Sequence, residues 1–309
     1  MQRFIIDTDT GSDDAVALVM AARHPNVQIE AVTVVGGNVP VDQGVQNALY
    51  TLALAGTADV PVYRGAAVPL LRPLETAQNV HGMDGMGDIG LPLAGHTPAP
   101  GHAVPVLVET ITRYAGAITL VTLGPLTNIA LALQRDPALA SKVTHCYMMG
   151  GTGEGYGNVT PVAEYNIWAD PEAARIVFDS GMPITMIGWD ISRKYAAFSP
   201  DDVDQMRAID TPLAAFCMDI QGAVNDFVLA VTKLPGFDLP DPIAMAVALD
   251  PAIATTRALN VTVETGDGLC RGQTIVDHIG ITGLPPNAAV VTEASRAGFL
   301  ALLTASLQR

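Results

Sequence analysis

Positive charge is the scarcest resource in this chain of 309 residues. Sixteen Lys and Arg stand against 31 Asp and Glu, a formal net charge of −15. Lysine occurs only at Lys142, Lys194 and Lys233. No basic stripe is present to hold phosphates, so nucleic acid and polyanionic substrates are not expected as partners. A neutral or cationic small molecule fits better, and a bound metal would reverse the sign locally. Cysteine is nearly as sparse. Cys146, Cys217 and Cys270 are odd in number and form no CxxC, which speaks against a disulfide framework or a zinc site. Buried free thiols in a reducing compartment are the simplest expectation. No window holds about 18 uninterrupted apolar residues, so no membrane span is expected. The first apolar run is not preceded by a basic start and signal core, and a cytoplasmic protein is expected. Charged residues are only 15% and hydrophobic ones 49%, enough for a large core.

Several catalytic signatures are missing as well. There is no Gly-x-Ser-x-Gly elbow and no Ser/His/Asp arrangement. The glycines near Gly151-Thr152-Gly153 do not make a dinucleotide fingerprint, because Tyr156 holds the third glycine place. No repeat, low-complexity tract or dividing linker is visible, so residues 1–309 are read as one domain.

What is present alternates strand and helix. Residues 3–7, 29–35 and 60–63 read as strands, with helices over 13–23 and 41–55 between them. This βαβαβ order predicts a mostly parallel sheet with helices on both faces. Residues 65–102 form a Gly- and Pro-rich loop of the length often used for lids or binding. A helix over 104–114, strands over 118–123, 143–149 and 184–188, and a helix from Pro171 follow. Helices broken at Pro212 and at 235–242 lead to a late β pair, 261–265 with 273–276. A last helix spans 293–307.

The first strand ends in Asp7-Thr8-Asp9-Thr10-Gly11-Ser12-Asp13-Asp14, four carboxylates in eight residues. Spacing of two lets Asp7 and Asp9 face one way if the strand persists. Asp13 and Asp14 fall in the first helical turn, where exposed N–H groups favour negative charge and Ser12 is the expected N-cap. Two like charges about 4 Å apart at an effective dielectric of 20 cost roughly 4 kcal/mol. Such crowding asks for a cation, for raised pKa values, or for both. An all-oxygen donor set suits calcium or magnesium.

Other strand ends carry Asn38, Leu123-Gly124, Gly150-Gly151 and Asp190, which a doubly wound sheet brings to one edge. Glu164 and Asn166, again two apart, would share a pocket if the chain is extended there. Asp241 precedes an apolar helix, where capping is its default role. His81 stands out in its glycine loop, and Trp168 and Trp189 are expected in the core.

Together these residues resemble the inosine-uridine nucleoside hydrolase family. The signature is Asp7-x-Asp9-x-Gly11-x-Asp13-Asp14-Ala15. Its partners follow in order: Gly36-Gly37-Asn38, Gly124-Pro125-Leu126-Thr127-Asn128, Met149-Gly150-Gly151, Ala163-Glu164-Tyr165-Asn166 with Asp170-Pro171-Glu172-Ala173-Ala174, and Asp241-Pro242. The match runs from about residue 3 to at least 280. The resemblance implies a Rossmann-like α/β domain, a homodimer or homotetramer, that cleaves the N-glycosidic bond of ribonucleosides with bound calcium (Ca2+). It implies Asp9, Asp14 and Asp241 as metal ligands, joined by the Leu123 carbonyl. Asp9 would also activate a calcium-bound water. Asp13, Asn38, Met149, Asn158, Glu164 and Asn166 would bind the substrate, helped by Asp241.

One position departs from the pattern. Many relatives carry histidine where this chain has Pro240, and proline has no proton for the departing base. His81 is the expected substitute, with Gln221 or Asn225 as hydrogen-bonding alternatives and aromatic stacking as a third route. Two other readings are weighed. A haloacid-dehalogenase-like phosphatase shares the Asp-x-Asp opening, but Gly11 stands where it needs Thr and lysines are few. A non-catalytic, metal-dependent nucleoside or ribose binder is motivated by Pro240.

Overall fold

The computed structural model describes residues 1–233 and 236–308. Nine strands form one sheet: β1 (Gln2–Thr8), β2 (Val27–Val34), β3 (Val62–Arg64), β4 (Ile118–Thr122), β5 (Val143–Met149), β6 (Ile184–Ile187), β7 (Ala254–Val263), β8 (Thr274–Asp277) and β9 (Ala288–Ala294). Their order is β3-β2-β1-β4-β5-β6-β9-β7-β8. Pairings from β3 through β9 are parallel, and β7 runs antiparallel to both β9 and β8. This is the expected α/β architecture, a mostly parallel sheet with helices on both faces.

Alternation along β1 explains the two faces. Phe4 and Ile6 enter one core cluster and Ile5 the other. The first cluster gathers the helices Ser12–Arg23, Val41–Leu54, Pro240–Leu249 and Arg296–Leu307. The second gathers Ala103–Arg113, Thr127–Arg135 and Pro171–Phe178. The chain leaves β1 toward β2 and β3 on one side and returns to β4 on the other. The β1–β4 boundary is therefore the switch point where a crevice opens beyond the strand ends.

Several local expectations needed correction. Gly11, not Ser12, is the cap of the first helix, so Ser12 lies within its first turn. Glu164 is not in extended chain running on to Asn166. It caps the short helix Tyr165–Ala169, its side chain accepting the Asn166 and Ile167 N–H groups. The strand β9 occupies residues where only the start of a helix was expected, and that helix begins later, capped by Ser295. The run Ala288-Ala289-Val290-Val291-Thr292 opens on two alanines and is too short to signal a strand by periodicity. Cys146 and Cys217 are buried as expected, but Cys270 is exposed. Among the described residues one helical run, Pro212–Thr232, is long and apolar enough to cross a membrane by composition. Here it walls a cavity.

Candidate active site

Asp9 follows the last residue of β1 and is fully buried. Its Oδ2 accepts the Asn38 backbone N–H at 2.6 Å. Two glycines make room for it. A Cβ on Gly37 would fall 2.0 Å from Asp9 Oδ2, and one on Gly124 2.8 Å from Oδ1. The role of both glycines is this close approach. Asp14 accepts from the Gly11 N–H at 2.9 Å, from Asn38 Nδ2 at 3.1 Å and from the Thr8 hydroxyl. Asp241, in the first turn of Pro240–Leu249, faces this group from the neighbouring helix. Asp13, Asp14 and Asp241 can each bring one oxygen within 4.8 Å of the others. Sequence reasoning had put Asp9 rather than Asp13 in that trio.

Asp7 lies at one remove from the cavity. Its Oδ2 accepts from the Thr33 hydroxyl and from Asn128 Nδ2 at 2.9 Å. Asn128 in turn accepts the Ala66 N–H at 2.8 Å. Asp7 thus ties β1 to β2 and to the start of the helix Thr127–Arg135 that follows β4, which explains a motif asparagine that had no assigned role.

The carboxylates shift one another. Burial pushes Asp14 up to about 7, with the Asp13 charge adding to it. Asp7 also rises to about 7, mainly through burial. Asp9 and Asp241 stand well above the ordinary carboxylate range, first from burial and then from their acidic neighbours. Among the described residues no Lys or Arg lines the cavity to offset them. Buried Asp9 Oδ1 and Asp13 Oδ1 have no hydrogen-bond partner among the described residues. Clustered, unspent, all-oxygen donors of this kind fit a hard divalent cation.

Above this floor is a cavity of about 680 Å³. Asp13, Asn38, Met149, Asn158, Glu164, Asn166, Asp241 and His81 all reach its lining. Asn166 Nδ2 donates to the Leu123 carbonyl at 2.7 Å and touches Met149 Sδ at 3.3 Å. Leu123 thus presents its carbonyl beside the floor. Glu164 accepts the Gly151 and Asn166 N–H groups, each at 2.8 Å, and burial raises its pKa to about 7. Asn158 Oδ1 accepts the Tyr165 N–H at 2.9 Å. Asp9, Asp14, Leu123 and Asn225 are not among the lining residues; Asn225 lies on the helix Gly222–Phe227, which builds the wall with Val224 and Phe227.

Trp168 and Trp189, expected in the core, are half-buried and line the cavity instead. Asp238 is a lining residue that the sequence did not flag. It accepts from Arg193 at 2.9 Å and from the Ser192 hydroxyl. Its signal was hidden because its partners lie 45 and 46 residues away in the chain.

An α/β sheet whose switch point carries a buried carboxylate floor under a cavity with polar lining is a site that could hold a divalent cation beside a small molecule. The pattern of the inosine-uridine preferring nucleoside hydrolases matches residues 4–301, and the chain belongs to that family. It is 40% identical over 309 residues to the pyrimidine-specific ribonucleoside hydrolase RihA of Salmonella schwarzengrund (strain CVM19633), covering 98% of this chain and 97% of the relative. Among solved structures it resembles the plant nucleoside hydrolase PpNRh1, with a TM-score of 0.93, 33% identity and 99% of each chain covered. A purine-preferring ribonucleoside hydrolase from Gardnerella vaginalis gives 0.91 and 31%, covering 99% of this chain and 98% of the other.

Proposed function

We propose that this enzyme hydrolyses the N-glycosidic bond of ribonucleosides to free base and ribose. The observation that carries the reading is the floor: buried carboxylates, two of them with an unspent oxygen, under a cavity that no described Lys or Arg lines. Calcium held there would lower the pKa of a water and orient the ribose. Asp14 and Asp241 would hold the ion, completed by Asp9 and the Leu123 carbonyl. Asp9 would take the proton of the attacking water; its unspent Oδ1 supports that role. Asp13, Asn38, Glu164 and Asn166 would bind the ribose hydroxyls, with Met149, Asn158 and Asp241 beside them.

As the bond to the base stretches, positive charge grows on the sugar, and the surrounding carboxylates stabilise it. His81, at the cavity lining, would meet the departing base as a hydrogen-bonding group rather than as its acid. The other expected groups are less suited: Gln221 is committed to Ser12 and Asn225 stands off the wall. The same acid lining disfavours a phosphorylated substrate.

A panel of purine and pyrimidine ribonucleosides and their deoxy counterparts, with calcium, tests the reading through released sugar. Uridine and cytidine come first, because the 40% identical relative is named pyrimidine-specific. Ribose release with strong rejection of deoxyribose is expected, since a missing hydroxyl leaves buried groups unpaired. Tight nucleoside binding with no ribose released would favour the non-catalytic binder. A cytoplasmic homodimer or homotetramer completes the proposal, with sedimentation velocity as the check on assembly.

A further inference from the structure

A chain of three side chains runs from the helical wall to the cavity: Gln221, Ser12 and His81. Its hydrogens can be placed by elimination. Gln221 Nε2 lies 2.9 Å from the Ser12 carbonyl and 3.4 Å from the Cys217 carbonyl. Carbonyls only accept, so the amide NH2 must face them and Oε1 must face the other way. Ser12 Oγ sits 3.1 Å from that Oε1 and has to donate to it. A hydroxyl has one hydrogen, so Ser12 Oγ can only accept from its second partner, His81 Nδ1, also at 3.1 Å. Asp13 Oδ1 independently favours a hydrogen on the same nitrogen. It is a buried acceptor without a hydrogen-bond partner, 3.8 Å from Nδ1.

We propose that Gln221, acting through Ser12, locks His81 in the Nδ1–H tautomer, so that its Nε2 offers a lone pair to the cavity. Nε2 has no hydrogen-bond partner among the described residues, and the ring lines the cavity. In this tautomer the neutral ring accepts a hydrogen bond. It carries no proton at Nε2 to give away. The complementary chemistry is a base edge that presents an N–H or NH2 group, such as the imide of a uracil or the amine of a cytosine. Gln221 is thus a positioning residue that acts on the ligand through Ser12 and His81. This specificity consequence rests on the nucleoside hydrolase reading; the tautomer does not.

The direct test is the nitrogen spectrum of His81 in protein labelled with 15N-histidine, at a pH where the ring is neutral, with the resonances assigned by comparison with His81→Asn. Wild type should show a pyrrole-like Nδ1 and a pyridine-like Nε2. The reverse pattern overturns the proposal. In Gln221→Met the Ser12 hydroxyl loses its acceptor and becomes free to donate to Nδ1, so the Nε2–H population should rise. A merely structural Gln221 would leave the ratio as in wild type, and that outcome also overturns the lock. If Gln221→Met does not fold, Ser12→Ala replaces it, with mixed tautomers expected and an unchanged ratio counting against the proposal.

The kinetic readout is discrimination between uridine and 3-methyluridine. Wild type should favour the N–H substrate in kcat/KM by roughly fivefold to tenfold more than Gln221→Met does, the worth of about one neutral hydrogen bond. Equal discrimination in the two proteins overturns the specificity claim. An enzyme that releases no ribose from any nucleoside defeats the hydrolase reading instead, and the nitrogen spectrum still decides the tautomer.

Discussion

The floor and the far wall of the cavity are built in opposite ways. On the floor, Asp9, Asp14 and Asn38 are buried and bonded to one another or to backbone N–H groups. The far wall draws on the Pro212–Thr232 run and on loops, and its rim leaves large apolar groups in solvent. Val231 is 61% exposed and Val159 41%. A floor so over-determined holds reacting atoms in fixed positions, which is what charge stabilisation requires. A looser, apolar wall can vary in shape around the base without disturbing the chemistry below. Relatives matched over nearly the whole chain, one named pyrimidine-specific and one purine-preferring, agree with that division.

The sharpest way to break the comparison is at Asp9. Asp9→Asn keeps the shape and the bond to the Asn38 N–H but removes the proposed proton acceptor. Ribose release should fall by roughly 10²- to 10⁴-fold with the circular dichroism spectrum unchanged. Undiminished turnover would remove Asp9 as the base. Next in size is Gly37→Ala, which tests whether the floor tolerates any displacement. The new methyl would meet Asp9 Oδ2, so a loss of about 1–3 kcal/mol in stability is expected together with lost turnover. A fully active variant of wild-type melting temperature would show that the floor is more forgiving than its packing implies.

Legibility in the sequence follows the same division. Asp7, Asp9, Asp13 and Asp14 lie in eight consecutive residues, so strand period, turn glycine and helix start could be read together. The parallel order of the first strands was equally plain from their alternation with helices. Residues of the wall gave no such signal. Asp238 and Arg193, or Gln221 and Ser12, meet only after the chain has folded, 45 and 209 residues apart. Trp168 and Trp189 read as core because their composition is apolar, and only tertiary packing decides that they border a cavity. The strand β9 was missed for a related reason: its place between β6 and β7 is set by its neighbours rather than by its own residues.

A smaller effect concerns protons and the cation. Asp14 is pushed from 3.8 up to about 7 in the cation-free protein, so the folded chain keeps a proton that the unfolded chain has lost. Stability from that proton is present below about 3.8 and is lost as pH rises through about 7. A divalent cation binds the ionised form and opposes the loss. The gain in melting temperature on replacing EDTA with calcium should therefore be small near pH 4 and grow up to about pH 7. Differential scanning calorimetry at stepped pH measures it, and a gain that does not change with pH would move the cation away from this cluster.

The smallest expected effect is at Asn225, and it sharpens the distinction between residues on the wall and residues merely near it. The helix Gly222–Phe227 turns Val224 and Phe227 to the cavity, while Asn225 stands outside the lining. Asn225→Ala removes a half-buried amide from a helix and leaves the cavity surface as it was. Such a change away from core and ligand shifts free energies by about 0.5 kcal/mol at most, or roughly twofold in rate. Steady-state kcat/KM on the best ribonucleoside measures it. A loss of tenfold or more would mean that the wall closes further over the base than its present form, bringing Asn225 into contact with the ligand.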